Sequence, residues 1–100
     1  MIIEYSSELQ EFMRKKGYWS ISVEVASSTR SDFEVTEIFC RYVRESYADY
    51  LLEKKGYRGV MTEMGRVLFP PYHLMYSDKI KFYLKKTWIF RQLSVEGISL

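Results

Sequence analysis

The chain has 100 residues, 47% of them hydrophobic, and a net charge of +2, which suits one folded domain over 1–100 and excludes a disordered or linker-like chain. One Cys excludes a disulfide framework and a zinc site of several thiolates, and the charge is too small to indicate nucleic acid or a membrane by itself. The figure that stands out is the aromatic content, 17%. Met1-Ile2-Ile3-Glu4-Tyr5 lacks a signal-peptide pattern, no window reaches the roughly 18 apolar residues of a membrane span, and a lone thiol suits a reducing compartment. A cytoplasmic protein with no membrane association is the expectation.

Ser7 and Gln10 have the spacing of a capping box, and Leu9, Phe12 and Met13 follow on one helical face. Lys15-Lys16-Gly17 closes the segment with cations for the dipole and a Gly for a positive φ. These signals predict a helix over about 7–16. Trp19, Ile21, Val23 and Val25 then alternate with Ser20, Ser22 and Glu24, the pattern of a half-buried strand. Ala26 to Asp32 is small, polar and aperiodic, and reads as a loop.

Residues 33–56 carry two signals. Val35, Thr36, Ile38, Phe39, Tyr42 and Val43 favour a strand. Ser31 with Glu34 forms a second capping box, Glu37 and Arg41 an i,i+4 pair, and Lys54-Lys55-Gly56 a second stop. With both termini marked, a second helix over about 34–55 is expected. The remainder reads as β structure. Val60-Met61 and Arg66 to Phe69 flank a turn at Met64-Gly65, and Pro70-Pro71 breaks the ladder. Tyr72 to Tyr76 and Lys79 to Lys85 flank Ser77-Asp78 as a hairpin, with Ile80, Phe82 and Leu84 on one face and Lys79, Lys81, Tyr83 and Lys85 on the other. A last strand over about 92–96 turns Leu93 and Val95 inward. The expected class is α+β, with the N-terminal helix and the second helix packed on a small, mostly antiparallel sheet or sandwich. Its expected core is Trp19, Ile21, Val23, Ile80, Phe82, Leu84 and Val95 with Leu9 and Phe12.

Several of these pieces resemble the HesB/IscA-like family, in its small CC/Se-motif branch. Ser6 to Gly17 is similar to that branch's first helix, Trp19 to Val25 to its next strand, Tyr72 to Leu84 to its Tyr-rich hairpin, and Leu93-Ser94-Val95-Glu96-Gly97-Ile98 to its closing strand. The resemblance covers about half the chain and implies a HesB-like fold related to iron–sulfur assembly. The branch's adjacent cysteines are replaced by Ala26-Ser27-Ser28-Thr29, and neutral hydroxyls do not substitute for thiolates around iron. It therefore implies a fold kept and a metal-cluster chemistry lost, with a retained iron–sulfur scaffold or carrier as an alternative.

The weak candidates for metal ligation are Cys40 and His73, 33 positions apart with no accompanying cluster. Ser27 and Ser28 lack the Gly-x-Ser-x-Gly elbow of a nucleophile, and Gly56-Tyr57-Arg58-Gly59 lacks the Lys-Ser/Thr of a phosphate loop. No catalytic or cofactor-binding residue is assigned, no cofactor is implied, and a non-enzyme is expected. Lys79, Lys81, Lys85, Lys86 and Arg91 with Tyr83 and Trp88 offer phosphate neutralisation and base stacking. The same row also suits a solvent-facing strand whose lysines protect an edge. The sequence thus points first to a non-catalytic binding or protein-interaction module with an unspecified protein partner, and in the alternative to a nucleic-acid-binding module. Seventeen aromatic residues in so small a domain add the expectation of a homodimer.

Overall fold

The first helix begins where a polar oxygen meets an orphan amide. Ser6 is extended at φ −63° and its Oγ accepts from the Leu9 N–H at 3.2 Å, so the cap stands one residue before the expected Ser7. Gln10 completes the end by donating to the Tyr5 carbonyl at 3.1 Å. The helix, α1 (Ser7–Lys16), ends at Gly17 with φ 73°, the left-handed stop read from the sequence. Before it lies a strand that the sequence analysis did not assign, β1 (Ile2–Tyr5), whose Ile3 and Tyr5 lie beside Ile80 and Phe82 of a strand far along the chain. Four residues carry too little periodicity to mark such a strand; its partner decides it.

The computed structural model describes every residue except Ser31, and Arg30 through its backbone. The fold is α+β. After α1 come β2 (Ser20–Arg30), β3 (Phe33–Val43), α2 (Glu45–Lys54), β4 (Arg58–Thr62), β5 (Gly65–Phe69), β6 (Met75–Thr87) and β7 (Phe90–Ser99). A four-stranded sheet has the order β3-β2-β5-β4 and a three-stranded sheet the order β1-β6-β7. The pairs β1–β6 and β2–β5 are parallel, and the other three are antiparallel.

Three expectations are corrected. Within the loop expected over 26–32, residues 26–30 are instead strand, paired from Ala26↔Glu37 to Arg30↔Phe33, and Asp32 is in the turn. The helix over 34–55 is two elements, β3 and then the shorter α2. Eleven consecutive pairs with β2 satisfy the β3 backbone, so its β-branched and aromatic residues keep the state they prefer. Ser31 of the second capping box lies outside the described residues, and Glu34 is in strand. The stop at Lys54-Lys55-Gly56 does end α2. Finally, Ser77-Asp78 is no hairpin turn. Residues 75–87 form one strand, with a register irregularity between Tyr76 and Lys81. The Ser77 Oγ lies 2.8 Å from the Lys79 carbonyl oxygen. Opposite it Gly97 has φ 95°, where a Cβ would come within 2.3 Å of that same oxygen. Turn-forming residues here make a bulge. The hairpin lies further on, joining β6 to β7 through Trp88-Ile89.

The inner faces of the two sheets share one core. Ile21, Val23, Val67 and Phe69 meet Ile80, Phe82 and Leu84, with Leu9 and Met13 of α1 closing one side. Phe12 and Val95 join it partly buried, whereas Trp19, expected inside, is 52% exposed. Trp19 stands just before β2, outside its ladders. Strand β2 itself is central, with both faces covered. Its polar side, Ser20 and Ser22, is also fully buried, because α2 lies across the outer face with Ala48 and Leu51 on Leu68. Ser20 fastens this layer: its Oγ donates to Glu45 at 2.9 Å and accepts from the Arg66 N–H at 3.1 Å. Arg66 pairs with Glu45 and, at 2.9 Å, with Asp49. Gly65, at φ 98°, lies so close to β2 that a Cβ would be 1.7 Å from the Trp19 carbonyl oxygen.

Candidate binding surface

Strand β6 decides where the basic and aromatic residues go. Ile80, Phe82 and Leu84 point into the core, as expected, so Lys79, Lys81, Tyr83 and Lys85 lie on the opposite, uncovered face of the three-stranded sheet. Neighbouring carboxylates offset that lysine row. Lys79 pairs with Glu4 at 3.2 Å, and Lys81 stands opposite Glu96 on β7 and Glu4 on β1. Lys86 and Arg91 stand opposite one another and have the other parity, beside α1. Lys86 donates to Glu8 at 2.9 Å and holds that carboxyl below the usual carboxylate range, with Arg91 adding to the effect. The seven residues expected to form one nucleic-acid face are therefore divided between two sides of the hairpin and its end.

At that end the chain presents Trp88, Ile89 and Phe90, which are 102%, 78% and 68% exposed. Trp88 has φ +20°, the sole positive value outside glycine among the described residues. A two-residue hairpin loop ordinarily gives such places to Gly, Asn or Asp. A Trp followed by a β-branched Ile is thus a costly choice for a turn, and neither ring nor branch is covered by the rest of the chain. Lys85, Lys86 and Arg91 surround the apolar end, and Lys85 and Arg91 are in no ion pair among the described residues. On the α1 side, Lys15, Lys16 and Phe12 line a shallow depression with Arg91, Glu8 and Glu11.

Another concave feature is an open groove of about 530 Å³ between the edge strands β3 and β7. Ile38, Cys40 and Tyr42 form one wall and Leu93, Ser94 and Val95 the other. Burial, reinforced by Glu24, pushes the Cys40 thiol up to about 12, so it stays protonated near neutrality. The Tyr42 hydroxyl is buried with no hydrogen-bond partner, and burial, with Tyr18 and Cys40 adding, pushes it to about 12. His73 lies apart from Cys40, exposed on the segment between β5 and β6. Among the described residues no three His, Cys, Asp or Glu side chains are grouped to hold a metal ion. Ser27 and Ser28 are exposed strand residues, and Ser27 bonds Thr36 across the hairpin at 3.2 Å.

Sequence reasoning named Trp88 but missed Ile89 and Phe90. The signal was present as three apolar residues in a row between Lys85-Lys86 and Arg91. A turn read at 77–78 hides it, because 86–91 then has no assigned structure. Among the described residues, no helix is long and apolar enough to cross a membrane. Compared with protein-family models, curated proteins and solved structures, the chain matches none.

Proposed function

We propose that this chain is a non-catalytic binding domain whose contact surface is the end of the β6–β7 hairpin. The observation that carries this reading is the run Trp88-Ile89-Phe90, held largely uncovered at a two-residue turn. Large apolar side chains kept in water at a turn whose first position has a positive φ and so favours Gly contribute nothing to the core. Strain and exposure at one site point to a contact made outside the chain. A binding role also suits the remaining chemistry: the single thiol is held protonated.

The test exchanges the turn for one the fold should prefer. In Trp88→Gly/Ile89→Asn, which puts Gly at the position of positive φ, stability against denaturant is expected to stay level or to rise by up to about 1 kcal/mol. A clear loss of stability would show that these side chains serve the fold, and would overturn the reading.

A further inference from the structure

We infer that the hairpin end docks on an anionic phospholipid surface, inserting Trp88, Ile89 and Phe90 at the headgroup level while Lys85 and Arg91 meet the lipid charge. The inference rests on the proposed role of this end as a contact surface and names its partner; it departs from the sequence expectation of no membrane association, which rested on the lack of a spanning segment and on the small net charge. Three features of the end favour a bilayer. The first is shape. Leu84 is the last buried residue of β6, and four more residues, about 13 Å of extended strand, lead to Trp88. That reach lets the end enter the 5–10 Å interfacial layer, roughly the depth of surface-bound segments, without drawing the core after it. A projecting end needs no matching cavity in a deformable bilayer, whereas a folded partner would have to supply one.

The second feature is chemistry. Trp is enriched at the headgroup level because its ring is amphipathic, and Ile and Phe beside it supply the apolar surface that is buried. The third is charge. Lys85 and Arg91 flank the apolar run without an ion pair among the described residues, and beside Arg91 Lys15 and Lys16 stand with Glu8 and Glu11, so the uncompensated charge at the end is that of Lys85 and Arg91. Each cation near an anionic leaflet strengthens binding roughly five-fold. Lys86 has a different part, bracing the base of the end against Glu8 of α1. Single-stranded nucleic acid would instead favour a basic track with aromatic platforms along it. Here the lysines that form a row, Lys79 and Lys81, face Glu4 and Glu96.

The experiment is co-sedimentation with vesicles of phosphatidylcholine, alone and with about 30% phosphatidylserine, at low and moderate salt. It is done on the whole chain and on Trp19→Phe, in which Trp88 is the remaining tryptophan and is excited selectively over the tyrosines. Binding is expected to the serine-containing vesicles, with a blue shift of Trp88 emission and quenching by brominated acyl chains. Lys85→Gln/Arg91→Gln should weaken it roughly 25-fold, and the Trp88→Ser/Ile89→Ser/Phe90→Ser variant, checked as folded by circular dichroism, by roughly 100-fold or more. Absence of binding to serine-containing vesicles, or equal binding to both compositions, overturns the lipid partner. If vesicles fail but a single-stranded oligonucleotide quenches Trp88, or if the end holds together a dimer of this chain, the partner is wrong and the contact surface stands. If vesicles bind and the serine variant binds equally well, the contact surface is wrong too.

Discussion

The two long hairpins, β2–β3 and β6–β7, begin alike and end in opposite chemistry. Both are rooted in the shared core, through Ile21 and Val23 in one and Ile80, Phe82 and Leu84 in the other. Both run on past it. The far part of β2–β3 carries Ser27, Ser28 and Thr29 opposite Thr36, Val35 and Glu34, with Ser27 bonded to Thr36 and Phe33 as its large exposed side chain. The far part of β6–β7 ends in Trp88-Ile89-Phe90 within a basic surround. Residues 27–29 and 34–36 show how a ribbon of this fold runs through water on mostly small and polar side chains, with one hydroxyl pair, Ser27 and Thr36, across the strands. The apolar end of the other is not a requirement of the architecture, and its cost needs an explanation outside the folded chain.

The comparison can be broken first at the roots, where the largest effect is expected. Phe82 is fully buried and stacks on Tyr5 with ring centroids 5.6 Å apart. Phe82→Ala should cost about 3–5 kcal/mol in denaturant unfolding, the usual range for an aromatic cavity. A loss under about 1 kcal/mol would mean that β6 is rooted in another register. Next comes the root of the other hairpin. Ser20→Ala removes the acceptor of the Arg66 amide and the donor to Glu45, so a loss of about 1–3 kcal/mol is expected. The same substitution at exposed Ser27 should stay within about 0.5 kcal/mol. Equal costs at the two serines would erase the distinction between rooted and free parts of β2.

The smallest effect concerns the basic surround. Lys86 holds the Glu8 carboxyl below its ordinary value of 4.5. A depressed carboxylate contributes stability that is complete above the unfolded value and is lost as pH falls through the folded one. The Glu8 carboxyl followed by NMR should therefore titrate below 4.5, and Lys86→Gln should move its midpoint back up. An unchanged midpoint would leave the base of the apolar end unbraced by α1.

Much of the molecule was legible in the sequence because its signals were local. The Gly17 and Gly56 stops, the β4–β5 hairpin about Met64-Gly65, and the in-and-out alternation of 79–85 follow from caps, turn residues and period two. The structure shows the α+β class read from these signals. Reasoning failed where one signal had two tertiary meanings. Ser77-Asp78 can turn a chain or bulge a strand, and the pairing of β6 with β1 on one side and β7 on the other makes it a bulge. The 34–43 segment held strand propensities beneath helix-end signals, and the β2 ladder decided between them.

The candidate surface divides in the same way. Its residues stand together in the sequence, as Lys85-Lys86-Thr87-Trp88-Ile89-Phe90-Arg91, so composition alone determined that an apolar run would sit among cations. Exposure was not in that composition. It arose because the core closes over β6 at Leu84, because the turn falls at 88–89, and because strand parity sends Lys85 and Lys86 to opposite sides. The sequence by itself determined which side chains can cap, alternate, turn and carry charge, since these depend on near neighbours along the chain. Which strand lies centrally, how far each hairpin outruns the core, and which apolar residues stay in water were decided by the tertiary structure, since burial depends on what arrives from distant parts of the chain.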